Sequence, residues 1–492
     1  MAKNINKLND FFIFVIYGIL SVVAVQVLIA TPLLSWRLMF GGPVWLEWSI
    51  GIAVATAILV TLFMLRQPLV RGLDRTATVV LRPSTTAWLC FVLGVGVVLR
   101  LLWVGIYPAM PASDGATYLR LAEKLSRGEP YGGTGWRAYW PPGYPFLLTP
   151  LVSLFGASRS MIIGLNLFLF VATLFVVYSL GRALGGELTG RLAAAILSVW
   201  PNHIAMTAVP AKEYAFIFIV AIGFMLLYAR PNPPHWRICL AGAFLGFGCL
   251  IQPGLILLPT AFVISDLLSG RTLRTTSIRV VLVVVSMLLV IAPWTIRNYQ
   301  VFDQFVLIST NGGDVFYRAN NAFATGGWIP NPGEVDFSGY SELEVSALGY
   351  ELGKQWIREN PVSFLQLAIE KQILFLGDDS YGVYESLRRG GLDVSEPIYA
   401  IWKGLANAYW ILLWAMILLS AWRWAMNRDS QPLLLLPMTL AFLYFYSLHS
   451  IVESGGKYHL SVLGLLAIIA ASAVTASVGQ GDRPDRELTE RS

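Results

Sequence analysis

The sequence predicts an all-α polytopic membrane protein with about twelve transmembrane helices and a small mixed extracytoplasmic domain. Two observations lead to this fold class. Charged residues make up only 13% of the 492 residues and hydrophobic residues 56%, whereas soluble domains have about 25% charged residues. The apolar residues also form blocks that approach or reach about 20 residues, the length of a helix that spans a bilayer.

Basic residues give the candidate spans a single orientation. Two loops between apolar blocks, 66–82 and 271–279, are rich in arginine, and such loops usually stay in the cytoplasm. The net charge of +6 therefore needs no nucleic-acid partner to explain it. With a cytoplasmic N-terminus, the two long polar insertions, 108–158 and 295–396, lie outside. The candidate spans are near residues 11–34, 46–65, 86–107, 160–181, 189–208, 213–230, 238–252, 254–270, 278–294, 396–422, 432–450 and 458–478.

The chain divides into five predicted regions. The seventh and eighth spans are short and are separated by Gln252-Pro253-Gly254, so they could be half-helices around a turn. Helices are predicted in the insertions at 116–127 and 342–376, the second interrupted at Asn360-Pro361. In chain order the regions are 1–84 with two N-terminal spans and a basic cytoplasmic loop, 85–294 with the transmembrane core and the first outer loop, 295–396 with the extracytoplasmic domain, 397–478 with the C-terminal spans, and 479–492 with a cytoplasmic tail.

Ionisable side chains collect at the predicted outer ends of the spans. Charged groups at this depth are costly in free energy, so their presence indicates a functional site. The topology puts all of them on one side of the membrane, and we expect them to converge on one outward-facing cavity. They are Asp114, Arg137, His203, Lys212, Glu213, Arg297 and the run 453–459, which includes Lys457, Tyr458 and His459.

Asp114 and Glu213 each allow a structural and a functional interpretation. Asp114 precedes a predicted helix, where Asp is a favoured N-cap, and it could also act as a general base close to the bilayer surface. The adjacent Gly115 is expected to leave space for a substrate. Glu213 follows Lys212 at the start of an apolar block, where the helix dipole favours a carboxylate even in a solvated turn. Glu213 is the second candidate for the base.

The other candidates also have two interpretations. His203 is more often a hydrogen-bonded packing residue than a ligand. Lys457, Tyr458 and His459 could be an ordinary interfacial anchor, since Tyr and Lys are frequent at membrane boundaries. The two glycines before Lys457 also permit a close backbone approach, which suits an anionic ligand.

Several familiar chemistries have no motif in this sequence. It lacks a Walker A loop, a Rossmann glycine fingerprint and an HExxH helix, so nucleotide-driven transport and zinc proteolysis have no support. Its three cysteines and four histidines show no metal-ligand spacing, and we expect no metal and no cofactor. The adjacent Asp378 and Asp379 are typical of a charged loop. Asp114 has no second carboxylate beside it, unlike most sites for hard cations.

Four parts of the chain resemble the outer loops of the GT-C glycosyltransferases. The resemblance is to the bacterial branch related to protein O-mannosyltransferases and aminoarabinose lipid A transferases, and it covers about residues 85–478. The two spans ahead of this range are an addition to the usual core of that family. The matching parts are Ser-Asp-Gly-Ala-Thr-Tyr-Leu-Arg-Leu-Ala-Glu (113–123) with Trp-Pro-Pro-Gly-Tyr-Pro (140–145), Pro-Trp-Thr-Ile-Arg-Asn-Tyr (293–299), Asn-Gly-Gly-Asp (311–314) with 320–328, and Glu-Ser-Gly-Gly-Lys-Tyr-His-Leu (453–460).

The resemblance implies a membrane enzyme that transfers a sugar, with inversion, from a polyprenyl-phosphate donor. The acceptor would be a glycan, lipid or protein outside the bacterial cytoplasmic membrane. The catalytic carboxylate of the family falls on Asp114, and the basic residues that hold the lipid phosphate fall on Arg297 and Lys457. Trp140 departs from the family pattern, because aminoarabinose transferases have a Lys there. The further donor-binding candidates are Arg137, Lys212, Tyr458 and His459.

Two other functions remain as alternatives. A flippase or transporter of a polyprenyl-linked sugar, or of another anionic amphiphile, would also need an apolar groove and outer cations. It would be favoured by ionisable residues at mid-membrane depth or by an internal repeat. A non-catalytic membrane scaffold would give no reason for the concentration of charge in the outer loops.

Overall fold

The computed structural model describes residues 2–133, 135–329, 335–426 and 432–475. Within these ranges the secondary structure is helical and contains no β-strand, as expected where backbone groups must be satisfied inside a bilayer. The N-terminal helices are α1 (Ala2–Met39), α2 (Val44–Met64), α3 (Arg66–Leu81), α4 (Thr85–Ile106), α5 (Ser113–Ser126), α6 (Gly143–Phe155), α7 (Arg159–Ser198), α8 (Pro201–Ala205) and α9 (Lys212–Tyr228). The C-terminal helices are α10 (His235–Ile251), α11 (Pro259–Leu268), α12 (Leu273–Phe302), α13 (Gly312–Arg318), α14 (Glu342–Glu359), α15 (Pro361–Leu376), α16 (Tyr381–Tyr384), α17 (Glu396–Met426), α18 (Pro432–Leu448) and α19 (Leu463–Thr475).

Six helices in the described ranges are long and apolar enough to cross a membrane. Five shorter apolar helices accompany them, so the twelve predicted spans stay a prediction. The six lie at Asn9–Met39, Val44–Met64, Thr85–Ile106, Arg159–Ser198, Leu273–Phe302 and Glu396–Ala421.

Helix α7 contains two of the predicted spans because it turns back on itself at Gly186. This glycine has φ 85°, a left-handed conformation that favours glycine. A Cβ on Gly190 would lie 2.6 Å from the carbonyl oxygen of Tyr178, although twelve residues of straight helix would separate them by about 18 Å. The two arms of α7 therefore pack against each other. The predicted separation of the seventh and eighth spans is also confirmed, since α10 ends at Ile251 and α11 begins at Pro259.

The arginine-rich segment 66–82 is a helix rather than the expected loop. Helix α3 exposes its arginines and buries Ala77 and Val80 against the core. Arg191 of α7 donates to the Val80 carbonyl at 2.9 Å. The segment is therefore an amphipathic helix docked on the bundle, which is compatible with a position at the membrane surface.

The backbones of helices α10 and α12 are in close contact at two glycines of α10. A Cβ on Gly242 would lie 2.5 Å from the Val283 carbonyl oxygen, and one on Gly246 would lie 2.7 Å from that of Met287. Gly242 and Gly246 are four residues apart, so they lie on one face of α10 and form a GxxxG contact.

Gly246→Ala should therefore destabilise the protein. The added methyl group overlaps the backbone of α12, and overpacking of this kind costs about 1–3 kcal/mol. Thermal unfolding of the purified protein would measure the loss. Gly94→Ala is the matched control, because nothing lies within 4 Å of a Cβ at Gly94 in helix α4. Equal melting temperatures for the two variants would contradict the close packing.

The two N-terminal spans are integral to the bundle. Helix α1 packs along α17 and α15. At its C-terminal end, Arg37 donates to Glu47 of α2 at 2.8 Å and also bonds Glu370 of α15. The two N-terminal spans therefore contact helix α15 of the second insertion and helix α17, which follows it.

The second insertion contains only helices and turns in its described part, although a mixed domain was predicted. The predicted helix at 342–376 is interrupted as expected, since α14 ends at Glu359 and α15 begins at Pro361. Part of its predicted turn-rich segment, residues 330–334, lies outside the described ranges, as does the predicted tail at 479–492.

Candidate functional site

Four of the candidate residues line one small cavity. Asp114, Lys212, Glu213 and Lys457 come from three separate parts of the chain and meet there. The cavity has a volume of about 30 Å³, enough for water but not for a sugar. Convergence of the outer charged residues is therefore observed for this group. The other lining residues are Ala112, Gly115, Tyr118, Met206, Val209, Pro210, Ala211, Tyr381 and Glu385.

Asp114 lies in the first turn of α5 with an exposed side chain. The N-cap of this helix is Ala112, so the interpretation of Asp114 as the cap is wrong. Helix α5 begins at Ser113, three residues before the predicted start. No hydrogen bond or ion pair to the Asp114 carboxylate occurs within the described ranges, which leaves it available to a ligand.

Gly115 does not create space for a substrate as expected. A Cβ there would lie 2.8 Å from the carbonyl oxygen of Pro210. The glycine instead lets α5 approach the segment that leads into α9. This close approach is what brings Asp114 and Glu213 to the same cavity.

Glu213 lies in the first turn of α9 and is 9% exposed. In the described part of the chain, no side chain or backbone donor bonds its carboxylate. A buried carboxylate without a partner is unfavourable, so this group is suited to receive a hydrogen bond from a ligand. The neighbouring Lys212 is half-buried and lines the same cavity.

Lys457 is the cation of the last outer loop that reaches the cavity. Its Nζ lies 4.0 Å from Oε1 of Glu453 and 5.0 Å from the centre of the Tyr458 ring. The Tyr458 hydroxyl donates to the same Glu453 oxygen at 2.7 Å. Gly456 packs against the Asp378 carbonyl, 2.0 Å from where its Cβ would be. Gly456 thus serves this packing, and the approach of an anionic ligand to the two glycines stays a prediction.

Arg297 and Arg137 are not among the residues that line the cavity. Arg297 donates to the carbonyl oxygens of Arg137 at 3.0 Å and Tyr131 at 3.1 Å, and its guanidinium stacks on Trp294. Arg137 is exposed and donates to the Val301 carbonyl at 3.2 Å. The structure therefore gives both arginines a role in holding the first outer loop against α12.

Arg297→Ala should lower stability by about 1–3 kcal/mol, because hydrogen bonds from a charged donor are worth about that much. Arg297→Lys should restore little of it, since one ammonium cannot reproduce the guanidinium fork. Thermal unfolding would measure both variants. If Arg297→Ala instead kept the wild-type melting temperature and bound a lipid phosphate more weakly, that result would support the predicted role of Arg297 in binding the phosphate.

The two predicted histidines lie in the protein interior. His459 is fully buried, with Nδ1 2.6 Å from the Phe375 carbonyl and Nε2 3.0 Å from Asp379. Both ring nitrogens are occupied, so His459 is a packing residue rather than a substrate ligand. His203 is also buried, with Nδ1 2.8 Å from Arg100, which agrees with its packing interpretation.

Asp379 is a buried residue and not part of the charged loop that was expected. It is 0% exposed and accepts hydrogen bonds from Trp200 and Asn202, both at 2.6 Å. The side-chain oxygen of Asn202 accepts in turn from the Gly382 N–H at 2.6 Å. This chain of hydrogen bonds positions the start of α16, and with it Tyr381.

Tyr381 and Glu385 are site residues that the sequence analysis missed. Both come from the second insertion, where Glu385–Arg389 forms a π-helical turn directly after α16. Burial, followed by the nearby charges of Glu213 and Glu385, raises the pKa of Tyr381 well above its usual value. Burial also raises the pKa of Tyr118, with Asp114 and Glu213 contributing. Both hydroxyls therefore stay protonated and can donate hydrogen bonds.

No group of three or more His, Cys, Asp or Glu side chains in the described ranges could hold a metal ion. The absence of a metal requirement stays a prediction.

Residues 140–296, about a third of the chain, match the model of the dolichyl-phosphate-mannose-protein mannosyltransferase family. The range includes Lys212 and Glu213 of the cavity. No curated protein sequence matches the chain.

Two solved structures align with most of the chain. The oligosaccharyltransferase of Archaeoglobus fulgidus in its apo form is 15% identical, with a TM-score of 0.49, over 79% of this chain and 50% of that one. The chain thus spans about half the length of that protein. ArnT from Cupriavidus metallidurans bound to undecaprenyl phosphate is 12% identical, with a TM-score of 0.42, over 80% of this chain and 77% of that one. The family match confirms, over residues 140–296, the predicted resemblance to the protein mannosyltransferase branch of the GT-C membrane glycosyltransferases.

Proposed function

We propose that this chain transfers a sugar from a polyprenyl-phosphate donor to a hydroxyl or amino group of an acceptor glycan, lipid or protein. The observation that supports this function best is the cavity, which is lined by the carboxylates of Asp114 and Glu213 together with Lys212 and Lys457. A carboxylate can take the proton of the acceptor, and the lysines can stabilise the phosphate that leaves. The cavity therefore has groups for both parts of a glycosyl transfer. The match to a family that uses dolichyl-phosphate mannose supports the class of donor.

The proposed reaction is a single displacement at the anomeric carbon. The acceptor oxygen or nitrogen attacks this carbon while its proton passes to the carboxylate of Asp114. The bond between the anomeric carbon and the phosphate oxygen breaks, and its electron pair leaves with the polyprenyl phosphate. Lys457 and Lys212 stabilise the negative charge that grows on this phosphate. Attack opposite the leaving group inverts the configuration.

An apolar groove suits the isoprenoid chain of the donor. It has a volume of about 410 Å³, and Ala215, Phe218 and Ile219 of α9 are among its lining residues. Its walls come from α6, α7, α9, α10 and α12 and are almost entirely apolar. In this proposal the phosphate of the donor binds at the lysines and its isoprenoid chain occupies the groove.

Transfer by the purified protein would test this function. The assay would use a panel of undecaprenyl-phosphate sugars as donors and a panel of glycans, lipids and peptides as acceptors. We expect release of undecaprenyl phosphate with at least one pair, and none from heat-inactivated protein. A chelator should leave this rate unchanged, because we propose that no metal takes part. Absence of turnover with every pair, in protein that remains folded, would argue against the enzyme.

We also propose that the cavity opens on the outer side of a bacterial cytoplasmic membrane. The basic helix α3 and the loop at 271–279 would then lie in the cytoplasm. A reporter enzyme fused after Gly339 would test this orientation. Activity of the fusion only in the cytoplasm would overturn the orientation, but not the chemistry of the cavity.

A flippase or transporter remains the alternative function. Arg100 of α4 is an ionisable residue within a span, and it is fully buried. It donates to the carbonyls of Ser198 at 2.8 Å and Gly96 at 3.0 Å and stacks on Phe170. Because these contacts fix the guanidinium, Arg100 serves the packing of the helices. It gives no support to a transport pathway.

A further inference from the structure

Glu385 gives the cavity a third acidic residue. It is 8% exposed and lies on a π-helical turn, a local geometry that is frequent at functional sites. Burial raises the pKa of its carboxyl group, and Glu213 adds to this effect, while Arg389 opposes it. None of the steps proposed above requires Glu385.

Arg389 links the π-helical turn to Ser113, the residue before Asp114 at the start of α5. Its Nη1 donates to Oε1 of Glu385 at 3.0 Å and to Oγ of Ser113 at 3.1 Å. The Met110 N–H donates to the Gly390 carbonyl at 3.0 Å. Ser113 has φ 49°, an uncommon conformation for a residue other than glycine. The positions of Glu385 and Asp114 are therefore set by the same contacts.

Glu385 lines the same cavity as Asp114, the proposed base, and Lys457, which belongs to the proposed phosphate site. Burial has the largest effect on the pKa of the Glu385 carboxyl group and raises it, whereas the nearby charge of Lys457 acts to lower it. In the proposed reaction the sugar is bonded to the phosphate on one side and attacked by the acceptor on the other. A side chain that lines the same cavity as both groups is therefore in a position to contact the sugar.

We propose that Glu385 contacts the transferred sugar and accepts a hydrogen bond from one of its hydroxyl or amino groups. This role rests on the proposed function and deepens it. Glu385 would recognise the sugar, whereas the lysines recognise the phosphate, and Arg389 is a positioning residue that holds the carboxylate in place. A carboxylate acceptor makes hydrogen bonds roughly twice as strong as a neutral one.

The affinities for two lipids, one with the sugar and one without it, show whether Glu385 contacts the sugar or the phosphate. Wild-type protein and Glu385→Gln would be titrated with undecaprenyl phosphate and with the undecaprenyl-phosphate sugar that the wild type transfers or binds best. We expect the variant to bind the sugar lipid about tenfold more weakly, with undecaprenyl phosphate bound as by the wild type. Glu396→Gln is the matched control, because that residue pairs with Arg388 in the same segment and its side chain is 85% exposed.

Each other result has a definite meaning. Unchanged binding of both lipids would overturn the inference and leave the proposed function standing. Equal weakening of both, with a lowered melting temperature, would reduce Glu385 to a structural role. If the donor affinity is unchanged and the KM for the acceptor is raised, Glu385 contacts the acceptor rather than the transferred sugar. This result would also overturn the inference. If the wild type binds neither lipid, the proposed function fails, and the inference fails with it.

Discussion

Asp114→Asn is expected to lower sugar transfer by about 10²–10⁴-fold, the usual contribution of a general base. The amide is nearly the same size as the carboxylate but cannot take the acceptor's proton. The fold should survive, because Asp114 is exposed and Ala112 is the N-cap of its helix. The measurement is the rate of undecaprenyl phosphate release at saturating donor, together with a melting curve.

Glu123→Gln provides the control for this experiment. It makes the same chemical change in the same helix α5, but outside the cavity. It should leave transfer unchanged. Near-normal turnover by Asp114→Asn would remove Asp114 from the mechanism. If Glu213→Gln then lost activity with an unchanged melting temperature, Glu213 would become the base.

The residues that meet in the cavity could be predicted because the bilayer restricts where polar groups can go. Lys212 and Glu213 interrupt apolar blocks, and Asp114 follows one, so each had to lie at a membrane boundary. The alternation of basic loops assigned them all to one side. These constraints do not depend on the details of packing, which is why the sequence was sufficient for this part of the site.

The same constraints do not predict the contacts of Arg297 and His459. Both lie near the end of an apolar segment, but this position does not determine the direction of a side chain. Arg297 turns toward the carbonyls of the first outer loop, and His459 turns inward to Asp379. The partners that decide these directions are 160 and 80 residues away in the chain. Such partners are set by the tertiary fold, which no local pattern encodes.

Glu385 was missed for a related reason. The run from Tyr381 to Arg389 has no apolar periodicity and carries several charges, a pattern typical of a surface loop. Its burial depends on Asp379 and Asn202, which fix Gly382 from a distance. The adjacent Asp378 and Asp379 were the available signal, but two neighbouring carboxylates usually indicate a solvated loop. The partners Trp200, Asn202 and His459 explain why Asp379 is buried.

Lys457→Ala is expected to lower turnover by about 10²–10³-fold, the cost of removing one fixed donor from a developing oxyanion. The leaving phosphate gains negative charge as the glycosidic bond breaks, so the ammonium stabilises the transition state more than the bound donor. The loss should therefore appear in kcat at saturating donor as well as in KM. Lys457→Arg should restore part of the rate, because it keeps the positive charge.

Lys354→Ala is the matched control for Lys457→Ala. Lys354 also lies over a tyrosine ring, with Nζ 5.6 Å from the centre of Tyr350, compared with 5.0 Å for Lys457 over Tyr458. It is exposed on α14 and is not part of the cavity wall. Both substitutions remove a lysine and a cation–π contact, but only one removes a charge from the proposed phosphate site. If the two variants lose the same small amount of activity, Lys457 acts through packing against Tyr458, and Lys212 remains as the cation at the phosphate.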